Sequence, residues 1–134
     1  MKEQTIERES MDEPYLNKGK TTIAPEVLLT IAQLTSLEVP GVSRMGSVPA
    51  SVDRLFQRGY SEGVRIDIRE EVVHIDLHLI LCKDVNIRDV SRQVQHIVAR
   101  AISEMVGMQV GRVNIHIEDI DYSAEPDKGQ TAED

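Results

Sequence analysis

Three residues of one extended segment carry metal-binding chemistry. His74-x-Asp76-x-His78 puts two imidazoles and a carboxylate on one face of a strand, and His116 sits on a second alternating segment. Imidazole and carboxylate form a zinc donor set, but spacing restricts it. Residues i and i+4 of a strand lie about 13 Å apart, so His74 and His78 do not share one ion. Asp76 with one of these histidines and His116 is the set that spacing leaves open. The plainer reading is a solvated sheet face with paired charges, to which Arg65 and Asp67 also belong. A second group lies on a helix. Arg88, Arg92, His96 and Arg100 form an i, i+4 row turned away from the apolar arc. Such a row suits phosphates or an acidic partner helix, although Asp89 and Glu104 dilute it. The candidate interaction surface is therefore Arg65, Asp67, His74, Asp76, His78 and His116 on the sheet, or Arg88, Arg92 and Arg100 on the helix. No metal or other cofactor is expected.

Other chemistries lack their residues. Cys82 ends an apolar strand and reads as a structural thiol. The chain has neither a phosphate-binding loop nor a dinucleotide fingerprint. No GXXG loop is present, and the strands carry no aromatic residues on which bases would stack. Neither an enzyme nor a specific nucleic-acid binder is expected.

The elements that position these residues are legible in order. Val90, Val94, Ile97, Val98, Ala101, Ile102 and Met105 fall within half a turn of a helix at about 100° per residue. Asn86 is suited to cap that helix, with Asp89 three residues on, and Gly107 suits the left-handed residue that stops it. Ile97 and Ala101 are expected where this helix meets the sheet. Two alternating segments precede it, Val64–Ile68 and Val73–Leu79, joined across Glu70-Glu71. Two carboxylates are unusual in a type I′ turn, so loops of two and four residues both stand. Either length pairs Ile68 with Val73, Ile66 with Ile75 and Val64 with Leu77, and sets Asp67 against His74 and Arg65 against Asp76. Val113, Ile115 and Ile117 mark the last strand.

Upstream, Lys20–Ala24 reads as a short strand. Pro25 opens a helix with Glu26 in its positive first turn, and Val27, Leu28, Ile31, Leu34 and Leu37 form its expected stripe. Between Gly41 and Gly63 the pattern fades. Val42, Met45 and Val48 anchor a loop, and Ser51–Gln57 suits a short helix burying Val52, Leu55 and Phe56. The order strand–helix–strand–strand–helix–strand predicts an α+β two-layer sandwich, with helices on one face of a mixed sheet.

Composition sets the outer limits. The chain has 134 residues, enough for one domain, and a net charge of −8 that belongs to its ends. Residues 1–18 balance at −2 and residues 118–134 at −6, leaving the stretch between them neutral. We expect a disordered arm over 1–18, a single domain over 19–120 and a disordered acidic tail over 121–134. Acidic ends oppose non-specific binding to nucleic acid or anionic membranes. No apolar run approaches the roughly 20 residues of a membrane span. The start has no apolar h-region of a secretory signal, so a cytoplasmic protein without direct membrane insertion is expected.

Six blocks in order then resemble one family. Gly19-Lys20-Thr21-Thr22-Ile23-Ala24-Pro25-Glu26-Val27 and Glu38-Val39-Pro40-Gly41-Val42 are similar to the opening blocks of the alkaline shock protein family of bacterial envelope-stress proteins. Gly63-Val64-Arg65-Ile66, Val85-Asn86-Ile87, Val94-Gln95 and Val110–Ile117 resemble its later blocks, so the likeness covers residues 19–120. Glu70-Glu71 and the acidic tail depart from the family pattern. The resemblance implies a small cytoplasmic protein without catalytic residues. It implies protein partners, among them a membrane-anchored protein holding it near the membrane, and homo-oligomers. A non-catalytic adaptor or scaffold follows. The alternative it implies is a regulator that binds nucleic acid or an enzyme of fatty-acid synthesis.

Overall fold

The computed structural model describes residues 4–6, 19–47, 60–61 and 63–124. The proposed helix over Ser51–Gln57, Val48, and most of the two terminal segments lie outside the described residues. The elements in order are β1 (Gln4–Ile6), β2 (Thr21–Ile23), α1 (Pro25–Leu37), β3 (Val42–Met45), β4 (Tyr60–Ser61), β5 (Val64–Arg69), β6 (Val72–Cys82), α2 (Ile87–Val106) and β7 (Gln109–Asp121).

The central strand is β6. Its alternate residues Val73, Ile75, Leu77, Leu79 and Leu81 are all fully buried beneath the helices. Removing one such side chain from water contributes roughly 1.5–3 kcal/mol. β7 runs parallel to β6 along one edge, the connection being α2, as parallel neighbours require a crossover. The other edge of β6 is shared. β5 pairs antiparallel with residues 72–77 and β3 antiparallel with residues 79–81, while β4 borders β5. His78 marks the changeover, its N–H donating to the Gly63 carbonyl at 2.8 Å and its own carbonyl accepting from Gly46 at 2.6 Å. The sheet is thus mixed and the fold is the expected α+β sandwich with helices on one face.

Two details differ from the sequence pattern, and a third decides between the two loop lengths it left open. β2 forms, but it pairs with β1 in a separate two-stranded ladder and not in the main sheet. β3 and β4 extend the sheet where the sequence suggested a loop. Arg69 pairs with Val72, so the β5–β6 loop is Glu70-Glu71 alone, both residues left-handed at φ 51° and 68°. The ladder below that turn has the predicted register residue for residue.

α2 begins and ends on the residues that the sequence marks. The Asn86 side chain accepts the Asp89 N–H at 3.0 Å, and Gly107 is left-handed at φ 79°. Its buried ridge is Val90, Val94, Val98, Ile102 and Val106. Ile97 and Ala101 are only half-buried at its margin, and Met105 points to solvent. α1 is also rotated from expectation. It buries Leu28, Leu29, Ala32 and Ser36, the Ser36 hydroxyl donating to the Ala32 carbonyl at 2.8 Å. Val27 and Leu34 are exposed, at 45 % and 57 %.

Candidate interaction surface

The outer face of the sheet is built by the residues that alternate with the core. Arg65 and Asp67 come from β5, His74, Asp76 and His78 from β6, and Asn114, His116 and Glu118 from β7. Because β6 and β7 are parallel with His78 opposite His116, their two imidazoles stack. The ring centroids are 4.5 Å apart and the planes differ by 15°. An ionised carboxylate only accepts hydrogen bonds, which assigns the donors. His78 donates from Nδ1 to Glu118 Oε2 at 2.7 Å, and His116 from Nε2 to Asp76 Oδ1 at 3.2 Å. Asn114 adds a donor to the same Asp76 oxygen at 3.1 Å. The stacked rings and their hydrogen bonds to two carboxylates meet at the centre of the face.

Two β-bulges in β7 make this arrangement fit. The β6–β7 register slips once between Val73 and Ile75 and again between Leu79 and Ile80. Each slip means one extra residue in β7. At the first, Gly111 lies against the His74 ring, and an added Cβ would collide with it. The Arg112 N–H beside it donates to His74 Nδ1 at 3.3 Å. At the second, Glu118 reaches across β6 and accepts the Ser47 N–H at 3.1 Å. Its carboxylate occupies the space of the missing side chain at Gly46, where a Cβ would meet Oε1 at 2.6 Å. Further along, Asp121 accepts from Ser43 Oγ at 2.7 Å and from Arg44 Nη1 at 2.8 Å. β7 thus holds β3 through Asp121, and the segment just after β3 through Glu118.

These contacts set the acidity of both groups. The Ser47 N–H, and after it the His78 ring, hold the Glu118 carboxyl below its ordinary value against the opposing effect of burial. The Ser123 hydroxyl, followed by that of Ser43 and the Ser123 N–H, holds Asp121 well below the usual carboxylate range, with Arg44 adding to the effect.

The sequence candidates divide into two groups on opposite layers. His74, Asp76, His78 and His116 come together as described. Arg65 faces Asp76 in the ladder, and Asp67 accepts from Arg69 Nε at 2.8 Å along its own strand. Arg88, Arg92 and Arg100 lie exposed on α2, across the sheet from that network, with Arg100 donating to Glu104 at 3.0 Å. The His78 and His116 rings lie nearly parallel, and each commits one ring nitrogen to a carboxylate. Among the described residues no three His, Cys, Asp or Glu side chains form a metal site. Alternation along the last strand already places Asn114 and Glu118 on the polar face, whereas their bonds, Asp121 and the β3 residues Ser43 and Arg44 are additions that strand-by-strand reading did not pick out. They depend on the parallel register and on β3 being a strand.

Helices on one sheet face and a hydrogen-bonded polar network on the other place the chain in the class of two-layer α+β domains. Within that class the chain belongs to the alkaline shock protein 23 family, of cell envelope-related function, whose family model matches residues 13–122. The chain is similar to the uncharacterized protein YqhY of Bacillus subtilis (strain 168), 29 % identical over 126 residues that cover 92 % of this chain and 93 % of YqhY. It is also similar to YloU of the same organism, 26 % identical over 106 residues covering 76 % and 88 % of the two chains. Spy1614 of Streptococcus pyogenes serotype M6 is 24 % identical with the same coverage. No solved structure matches the chain at a significant level.

Proposed function

We propose that this protein is a non-catalytic adaptor or scaffold of the bacterial cell envelope. It acts from the cytoplasmic side through contacts with a membrane-anchored protein. The observation that carries this reading is the two-sidedness of α1. Leu28, Leu29 and Ala32 face the sheet, while Val27 and Leu34 on the opposite side are 45 % and 57 % exposed, with Ile31 half-buried beside them. Apolar side chains left exposed together on the outer side of a helix mark an interaction site, so this side suits a further protein layer. The cell envelope-related function of the family points to a partner at the membrane. No helix among the described residues is long and apolar enough to cross a membrane.

The exposed row of Arg88, Arg92 and His96 favours a second reading, a regulator that binds nucleic acid or a biosynthetic enzyme. A photo-crosslinking amino acid at position 34, compared in living cells with one at position 92, separates the two. The adaptor reading expects a membrane-protein adduct from position 34 that disappears with Val27→Glu. Nucleic acid or a soluble enzyme captured from position 92, with nothing from position 34, overturns it.

A further inference from the structure

β7 ends beside the start of α2. Its last residue, Asp121, pairs with Cys82 at the end of β6, and the Asp121 carbonyl accepts the Lys83 N–H at 3.2 Å. Arg88, in the first turn of α2, follows that lysine by five residues, at most about 18 Å of chain. Beyond Asp121 the chain turns back. The Ala124 N–H donates to the same Asp121 carbonyl at 3.4 Å, and the Ser123 N–H and hydroxyl donate to Asp121 Oδ1 at 3.0 and 2.6 Å. This turn releases the chain at the end of the sheet where α2 starts.

That end of α2 carries charge without counter-charge. Arg88, Arg92, His96 and Arg100 are all exposed on one i, i+4 row, and like charges so spaced repel. At the far end Arg100 is paired with Glu104, while Arg44 and Arg69 elsewhere are paired with Asp121 and Asp67. Arg88 and Arg92 have no hydrogen-bond or ion-pair partner among the described residues. The unpaired arginines are thus those nearest the point where the chain leaves β7.

Residues 125–134 carry the opposite charge, with Glu125, Asp127, Glu133 and Asp134 against Lys128 alone. The spacings agree. Arginines four apart on a helix are separated by about 6 Å along its axis. Residues two apart on an extended chain are separated by about 6–7 Å, and Pro126 biases Glu125 before it towards that conformation. Reach is ample as well. Ten extended residues span up to about 35 Å, and Arg88 to Arg100 covers about 18 Å of helix.

We propose that residues 125–134 dock along the basic row of α2, with Glu125 and Asp127 over Arg88 and Arg92, and hold that row against other anionic partners. Each exposed ion pair is weak and screened by salt. Attachment at the end of β7 makes the contact intramolecular, at an effective concentration on the order of millimolar for a short linker. An acidic protein or a nucleic acid must then displace the segment to reach the row. Residues 1–18 are the poorer occupant, since three basic groups offset their five acidic ones. The proposal does not depend on what α1 binds.

A nitroxide on Gln130→Cys in the full chain, read by paramagnetic broadening of amide signals, tests it. Cys82 is fully buried and stays unlabelled. At low salt the Arg88, Arg92 and His96 amides are expected to lose at least half their intensity, and to recover it at about 0.5 M salt, where screening is strong. Glu125→Gln, Asp127→Asn, Glu133→Gln and Asp134→Asn together keep the tether and should abolish the broadening. Broadening that survives them comes from the tether alone and overturns the proposal, as does a row that shows none. A fluorescent deca-glutamate peptide reads the competition. It should bind this neutralised variant roughly fivefold more tightly than the natural chain at low salt, a gain within reach of a few exposed ion pairs. Adding Arg88→Gln and Arg92→Gln should remove that gain. Glu7→Gln, Glu9→Gln, Asp12→Asn and Glu13→Gln take the same charge from the other end and should leave the affinity nearly unchanged. An equal gain from both sets would reflect net charge alone, and a gain from the second set only would put residues 1–18 on the row. Either result overturns the proposal.

Discussion

Glu118 shows how much one carboxylate organises. It is placed by a bulge, fills the space above Gly46, accepts the Ser47 N–H and takes the His78 proton donor. Because these contacts favour its ionised form, its folded pKa lies below the unfolded one. The stability it contributes is complete above the unfolded value, about 4.3 for Glu, and is lost as pH falls through the lower folded value. Glu118→Gln keeps the shape but removes the charge. The variant should melt below the natural protein at pH 7, and the gap should close as melts are repeated towards pH 3. A gap that stays constant with pH would mean that the carboxylate matters for its shape alone. Of this network, the sequence shows His74, Asp76, His78 and His116 to be on one polar face. It does not show that His78 and His116 stack, since that needs the parallel β6–β7 register. Alternation puts Glu118 on the same face, but its reach to Ser47 and His78 is not legible, because a bulge leaves no mark in an alternating pattern.

At the scale of elements, agreement was closest where local and tertiary signals coincide. α2 has a cap, a stop and one apolar arc, and all three appear in the structure. Its contact line nevertheless follows the Val90–Val94–Val98–Ile102 ridge, leaving Ile97 half-buried at the margin. α1 misled because its apolar residues surround it. A periodicity count averages Leu28, Leu29 and Ala32 with Val27, Ile31 and Leu34, and its mean direction belongs to neither face. β3 and β4 are short, four and two residues, and too brief for alternation to register. The β5–β6 turn is the clearest conflict. Each left-handed non-glycine residue costs roughly 1–2 kcal/mol, and two adjacent carboxylates add repulsion. Six paired positions in the ladder and its buried face override that preference. Replacing Glu70→Asn and Glu71→Gly supplies the residues a type I′ turn favours. Urea denaturation should show a gain of about 1–2 kcal/mol, less any entropy lost through the added glycine. A loss of stability would show that the carboxylates make contacts that outweigh their backbone strain.

The whole molecule separates its packing from its charge. Among the described residues, every side chain of the apolar core cluster lies between Ile23 and Ile120. The neutral stretch builds the domain, and the net charge of −8 is carried by the ends. Of the segment before Gly19, the described part is β1, whose only described ladder is with β2. A two-stranded ladder of three residues is marginal by itself, so its removal should leave the two-layer core intact. A chain of residues 19–124 keeps both helices, β2 to β7, and the Asp121 contacts with Ser43, Arg44 and Ser123. It should unfold in one cooperative transition, with a melting temperature within about 4 °C of the full chain, the shift that roughly 1 kcal/mol produces in a domain of this size. Differential scanning calorimetry of the two chains makes the comparison. A fall of more than about 8 °C, or a broadened transition, would show that a terminal segment packs on the domain. The exposed side of α1, with Val27 and Leu34, would then be the first place to look for it. Equal stability would leave that side available to another protein, as the adaptor reading requires.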